Sequence, residues 1–376
     1  MKDPVPPPLS VAMFLYEPGD GGLDRVAILM ANGLAERGVQ TELWMIRDQG
    51  PMRSLVSPKV TVRIIPVPAI GSRSLQLLMQ LPALIRTLHQ RRPDVLMSAG
   101  NQSNFAITLA VKLAACGTLA VSKITNPMRR PGMRGIRLAI RRVRFGVSAR
   151  LGALTMTLSE ADARALAAEF PAIGSRFQSI HNPYATAGML AAGLARTKAA
   201  SATPQLLSVG RLMPQKDHAT QLEALGLLRA RQWTLVMLGD GPLAPALKEQ
   251  ALRLGIADRI EFKGFVLDPL PWYAQSQLVI LSSRYEGLPA APIEALACGC
   301  SVVTTACSPG LSELMAATGL PAPVPVGDAA ALAAAIESAL DAPPCPSALN
   351  RFALRYSVDA AVDDHLAIVR RLVLRP

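Results

Sequence analysis

Short apolar runs recur along the chain, each followed by a stretch with helical spacing. Residues 11–16 (VAMFLY), 39–46, 60–65, 94–98, 119–124 and 154–158 have the length and apolar content of buried strands. A Gly-rich turn (Gly19, Gly21, Gly22) separates the first run from a helix expected to end near Arg37, and a second helix is expected over 74–91. The alternation predicts a parallel sheet covered on both faces. It weakens in an Ala-, Thr- and Gly-rich segment and restarts at 205–209, 234–238, 259–262, 278–281 and 301–304. Two doubly wound α/β domains in tandem are therefore expected: 1–184, a linker over 185–204, a second domain over 205–345 and a helical segment over 346–376.

The composition narrows the partners. With 376 residues the chain exceeds one ordinary domain, and with 50% hydrophobic and 18% charged residues it is not a disordered chain. Only 4% of residues are aromatic, which argues against a base-stacking nucleic-acid platform. A net charge of +12 favours anionic partners: phosphate esters, anionic lipid or nucleic acid.

Five cysteines make no disulfide framework, and Cys298, Cys300 and Cys307 have no CxxC pairing and no nearby histidine. They read as small buried residues, with no metal site. The opening MKDPVPPPLS is broken by Asp3 and four prolines, unlike a secretory signal. The longest apolar stretch, 105–121, contains Lys112 and Gly117 and reads as a buried helix leading into a strand. A cytoplasmic protein without an integral anchor is expected.

Ligands of open α/β sheets bind beyond the carboxyl ends of the strands, so the segments that follow strands carry the candidate chemistry. In 209–216 (VGRLMPQK), Gly210 permits a sharp exit, and Arg211 and Lys216 set two cations beside a helix start, a combination suited to a diphosphate. A solvated basic loop is the competing reading. In 238–242 (LGDGP), Gly239 and Gly241 flank Asp240 in a tight turn, for which a structural role is the better single reading.

The richest segment is 283–299 (SRYEGLPAAPIEALACG). Glu286 falls in the loop after a strand, and a helix is expected to begin near residues 290–292. Glu294 falls early in that helix. Both carboxylates, acceptor-only when ionised, suit sugar hydroxyls. The alternative for Glu294 is an acidic first helical turn that complements the dipole.

Glu286 and Glu294, eight positions apart, match the E-x7-E motif of retaining GT-B glycosyltransferases, and the chain most resembles the large family 4 group. GRLMPQKD is similar to that group's donor-phosphate motif. Gly21-Gly22-Leu23-Asp24-Arg25 and Asn182-Pro183 also sit where the group has recurring elements. The resemblance spans nearly the whole chain. It implies a GT-B architecture, two Rossmann-like domains facing a central cleft, with the terminal helix (358–374) crossing back onto the first domain.

It also implies roles. Arg211 and Lys216 would bind the donor diphosphate and stabilise it as it leaves. Glu286 would contact donor-sugar hydroxyls, and Glu294 would hold the ribose. Gly287, Leu288 and Pro289 would shape the loop near sugar and phosphate, with Gly210 and Gly239 in neighbouring turns. Gly264, Phe265 and Val266 would border the base, and Gly21 and Gly22 would lie near donor phosphate and acceptor. Some relatives carry a histidine after a first-domain strand; the comparable stretch 123–127 has Asn126 and no histidine.

Arginines crowd residues 129–150, where no acidic residue occurs. At helical spacing, Arg134, Arg137, Arg141 and Arg144 share one face, and Ile136, Ile140, Val143 and Val147 the opposite one. The expectation is an apolar face in the core and an arginine face toward anionic lipid headgroups or a phosphate on a lipid-linked acceptor, with an arginine face simply solvated by water as the competing reading.

The sequence thus points to a retaining, metal-independent glycosyltransferase without a cofactor. Its donor would be a UDP- or GDP-sugar and its acceptor a cell-envelope glycan or lipid-linked sugar. It would work peripherally at the inner membrane face, without nucleic acid. The alternatives are a nucleotide-sugar epimerase or phosphorylase on the same fold, or a non-catalytic membrane- or glycan-binding protein.

Overall fold

The computed structural model describes residues 9–67, 73–197 and 203–374. The chain divides into two compact units, one of residues 1–183 and 358–376, the other of residues 184–357.

The first unit holds seven parallel strands: β1 (Ser10–Leu15), β2 (Gln40–Met45), β3 (Thr61–Ile64), β4 (Val95–Ser98), β5 (Leu119–Lys123), β6 (Leu154–Thr157) and β7 (Phe177–Ser179). Their order in the sheet is β3-β2-β1-β4-β5-β6-β7. The second unit holds β8 (Gln205–Val209), β9 (Thr234–Leu238), β10 (Ile260–Gly264), β11 (Leu278–Leu281) and β12 (Ser301–Thr304), all parallel, in the order β10-β9-β8-β11-β12. Strands β4, β6, β11 and β12 are buried at every position. Such strands read as continuous apolar runs because helices cover both faces of the sheet. Each sheet reverses its winding once, between β1 and β4 in the first unit and between β8 and β11 in the second. The fold is that of two Rossmann-like domains, as expected.

The segment read as a linker contains the helix Ala187–Ala195, which belongs to the second unit. Its sequence, AGMLAAGLA, is apolar on every side and carries no helical stripe. Gly193 is not a breaker. A Cβ there would come 2.1 Å from the Ala297 carbonyl oxygen, so the glycine permits close packing. The expected C-terminal segment 346–376 also divides, since the helix Pro346–Ala353 lies in the second unit.

The terminal helix Val358–Val373 packs in the first unit against the helix Gly22–Glu36. Gly33 makes room for Val362, whose Cγ2 would lie 2.5 Å from an added Cβ. Arg37 pairs with Asp359 at 3.2 Å and with Asp363. A buried polar cluster fixes the same helix from the other side. Lys123 Nζ, at the end of β5, is 2.9 Å from Asn182 Oδ1 and 3.0 Å from His365 Nε2. His365 Nδ1 is 2.7 Å from the Ala361 carbonyl oxygen, which can only accept, so Nδ1 carries the proton and Nε2 accepts from Lys123. Burial pulls Lys123 down to about 7 and holds His365 well below the usual histidine range.

The helix Gly135–Leu151 departs from expectation on its aliphatic face. Ile136, Ile140 and Val143 are exposed. On the arginine face only Arg141 is held against the protein: it donates to the carbonyls of Met128 (2.6 Å) and Pro127 (2.9 Å) and lies over the Phe145 ring, whereas Arg134, Arg137 and Arg144 are exposed. Arg144 lies over the Phe105 ring. Phe145 and Ala149 pack with Ile124, Met128, Leu166 and Phe177. The helix packs inward through Ser148, Ala149 and the half-buried Phe145 and Arg141, and the aliphatic stripe is left outside.

No helix among the described residues is long and apolar enough to cross a membrane.

Candidate active site

The second unit assembles its site at the β8/β11 reversal, where a crevice for ligands is expected in open α/β sheets. Four turns meet there. Gly210 leaves β8 at φ +154°, and its backbone packs on the Lys216 stem. Gly239 follows β9 at φ +129°, where a Cβ would come 2.2 Å from the Gly210 carbonyl oxygen. Its N–H donates to the Gly264 carbonyl at 2.7 Å, which ties in the turn after β10. The fourth turn follows β11.

Lys216 and Glu286 meet in this frame, Nζ to Oε1 at 2.8 Å. Ser283 donates to the same Oε1 at 2.9 Å, and Thr305 holds the Ser283 carbonyl at 2.6 Å. The Glu286 N–H donates to the Cys307 carbonyl (3.0 Å) and the Ser282 hydroxyl to the Lys216 carbonyl (2.9 Å). Both side chains are therefore held by backbone-anchored loops. Asp217, on the other side of Lys216, pairs with Arg284 at 3.1 Å. Arg211 is exposed.

Pro289 precedes the helix Ala290–Ala297, which has no acidic residue in its first turn. Glu294 sits in its middle, buried, and accepts from the Tyr273 hydroxyl at 2.8 Å. This excludes the simple dipole-complement reading. Burial and the Glu294 charge push the Tyr273 phenol well above its usual range, so it remains a donor. The Leu288 carbonyl accepts from Tyr184 at 2.8 Å, which fixes the loop containing Gly287. Phe265 and Val266 are half-buried beside Gly264.

The structure thus joins Gly210, Lys216, Gly239, Gly264 and Glu286 in one network and places Glu294 on the helix that follows it. Tyr273, Ser283, Thr305 and His218 went unrecognised in the sequence. Ser283 lies three residues before Glu286, a weak signal. Tyr273 reaches Glu294 only through the fold. His218 is buried beside Ser208 and Gln221, and burial lowers it to about 4.

The remaining candidates lie in the first unit. Gly21 caps the helix Gly22–Glu36 and donates from its N–H to Asp24 Oδ2 at 3.2 Å. Asn126 follows β5. Its carbonyl accepts from Asn101 at 2.8 Å, and its own Oδ1 is buried without a hydrogen-bond partner among the described residues. Arg134, Arg137 and Arg144 are exposed, whereas Arg141 is engaged as described above.

The three neighbouring cysteines are structural. Cys300 Sγ lies 3.0 Å from the Tyr273 carbonyl. Burial raises Cys300 to about 11 and Cys307 to about 12, and Cys298 is raised as well. Among the described residues no group of three His, Cys, Asp or Glu could hold a metal ion.

Two family models match the chain: "Glycosyl transferase 4-like domain" over residues 21–171 and "Glycosyl transferases group 1" over residues 203–342. Together with the fold they define a GT-B glycosyltransferase. The lipopolysaccharide core biosynthesis glycosyltransferase LpsE of Rhizobium meliloti is 27% identical over 330 residues, 85% of each chain. An N-acetylgalactosamine-N,N'-diacetylbacillosaminyl-diphospho-undecaprenol 4-alpha-N-acetylgalactosaminyltransferase of Campylobacter jejuni is 35% identical over 109 residues. That match spans 29% of this chain and only 30% of the relative. Among solved structures, Anabaena Alr3699/HepE in complex with UDP-glucose superposes with a TM-score of 0.74 at 17% identity, over 95% of this chain and 99% of that one.

Proposed function

We propose that the protein moves a sugar from a UDP- or GDP-sugar to a glycan or lipid-linked acceptor during envelope polysaccharide assembly, with retention at the anomeric carbon and without a metal ion. The observation that carries this reading is the Lys216–Glu286 pair at the β8/β11 reversal, with Glu294 on the following helix. The Campylobacter relative's diphospho-undecaprenol acceptor and the Rhizobium relative's place in lipopolysaccharide core biosynthesis support the acceptor class. The UDP-glucose bound by the Anabaena protein supports the donor class.

In this reading Arg211 and Lys216 offset the charge that gathers on the diphosphate as the bond between anomeric carbon and phosphate oxygen breaks. The electron pair leaves with the diphosphate. The acceptor hydroxyl attacks the oxocarbenium-like carbon from the face just vacated, and its proton passes to the departing phosphate oxygen. Glu286 receives hydroxyls of the donor sugar and Glu294 the ribose diol. Asn126, whose buried Oδ1 has no hydrogen-bond partner among the described residues, is the first-unit candidate for the acceptor side. No enzymic nucleophile takes part, unlike the paired carboxylates of retaining glycosidases.

Product analysis tests the reading. The protein is incubated in EDTA with UDP- and GDP-sugars and lipid-linked oligosaccharide, and the anomeric configuration is followed by NMR. Transfer with retention is expected. Inversion, a requirement for divalent metal, or consumption of donor to an isomer without an acceptor would each contradict it.

A further inference from the structure

The helix Gly135–Leu151 turns its aliphatic side to solvent. Ile136, Ile140 and Val143 are 73%, 54% and 63% exposed. Their spacing places them on one stripe. Exposed Arg137 and Arg144 border the stripe, and Arg134 caps the helix start. Arg129 and Arg142 are occupied with Glu169. No acidic residue occurs between residues 129 and 150.

We propose that this face docks into the headgroup region of an anionic bilayer, with Ile136, Ile140 and Val143 entering the acyl boundary and Arg134, Arg137 and Arg144 meeting lipid phosphates. An apolar stripe bordered by basic residues is the composition of a helix that lies in a membrane interface. Guanidinium groups match phosphate oxygens in a bidentate geometry. A phosphate-backbone partner such as RNA would use the arginines but gives the aliphatic stripe no role. A second copy docked isologously would bring the same arginines together, at a cost in repulsion. The proposal corrects the expectation drawn from the sequence, in which the arginines alone met the lipid: Arg141 is spent on the Met128 and Pro127 carbonyls, and the apolar residues face out. It stands on this helix and does not depend on the transfer reading.

The test is flotation of the full chain with vesicles containing about 30 mol% phosphatidylglycerol in phosphatidylcholine, against pure phosphatidylcholine. Binding to the anionic vesicles is expected. The triple variant Ile136→Ser, Ile140→Ser, Val143→Ser leaves the charge unchanged and alters only exposed positions; it is expected to weaken binding by about tenfold or more. Arg137→Glu with Arg144→Glu should remove binding. In an Ile140→Trp variant, brominated lipid should quench fluorescence beyond the wild-type level. Equal binding by the triple-serine variant, or no added quenching, would overturn insertion. Absence of vesicle binding, or a concentration-dependent dimer abolished by the serine variant, would overturn the bilayer as the occupant. Nucleotide binding measured on the same variants should be unchanged, which separates this proposal from the donor site.

Discussion

Lys216 Nζ and Glu286 Oε1 lie 2.8 Å apart, brought from the loops after β8 and β11. Ser283 shares the same oxygen. Among the described residues both contacts fall on Oε1, which leaves Oε2 to accept from a ligand. In the proposed reading the cation serves the phosphate and the carboxylate the sugar of one substrate.

Glu286→Gln keeps the shape of the side chain and removes its charge. Donor turnover is expected to fall about 10²–10³-fold, with the melting temperature little changed. Ser283→Ala removes one contact to a residue that keeps its ion pair, so its loss should be smaller, about tenfold or less. Initial rates and thermal denaturation on the two variants check this; a Glu286→Gln enzyme of normal turnover would remove Glu286 from the chemistry.

In the proposed reading Tyr273 positions Glu294 for the donor ribose. Tyr273→Phe deletes the hydroxyl that donates to Glu294 Oε2 at 2.8 Å. Hydrogen bonds to charged groups are worth roughly 1.5–3 kcal/mol, so nucleotide affinity should drop about tenfold or more while kcat changes less. Calorimetric titration and a KM-against-kcat comparison separate this positioning role from general destabilisation.

The buried Lys123 cluster predicts how stability varies with pH. Lys123 is pulled down to about 7 in the folded chain, far below its value when unfolded. Between these two values the unfolded state binds more protons, so stability rises with pH from about 7 toward the unfolded lysine value, and the Lys123 contribution, lost as pH falls to about 7, levels off below it. The low His365 value extends the loss below neutrality, because that imidazole is buried neutral. Lys123→Met should flatten the alkaline rise relative to wild type in denaturant melts across this range. A slope identical in both proteins would contradict the assignment.

Gly239→Ala tests the turn that supports the site. A Cβ there would come 2.2 Å from the Gly210 carbonyl oxygen, and the backbone is at φ +129°. The substitution should cost about 2 kcal/mol or more in stability and displace the loop that carries Arg211 and Lys216, so nucleotide binding should weaken with it.

The strands were legible because buried parallel strands are largely apolar, as in β1, β4 and β11. β7 (FQS) was missed, being three residues long with a polar majority. The helix expected over 74–91 comes in two pieces, Arg73–Met79 and Leu81–Arg91, since Pro82 has no N–H to continue the ladder. The helix Ala187–Ala195 lacked a stripe because its exposed side is apolar too: Met189 and Gly193 are buried, while Ala187, Ala191, Leu194 and Ala195 face out. The outward turn of Ile136, Ile140 and Val143 could not be read from periodicity, which finds two faces and not which one is buried. Glu286 and Lys216 were found through the motifs that hold them. Their partners Ser283, Thr305 and Tyr273 come from separate loops and helices that only the folded chain brings together.

The most direct measurement is the thermal shift of the folded chain with UDP, GDP, ADP and CMP in EDTA, on wild type, Arg211→Ala and Glu294→Ala. A ligand that binds the native state raises its apparent stability. The account predicts a shift with UDP or GDP that is lost in both variants; Arg211, being exposed, provides the variant that leaves the core untouched. No shift with any nucleotide, or a shift of equal size in all three proteins, would contradict a nucleotide-sugar site at Arg211, Lys216, Glu286 and Glu294.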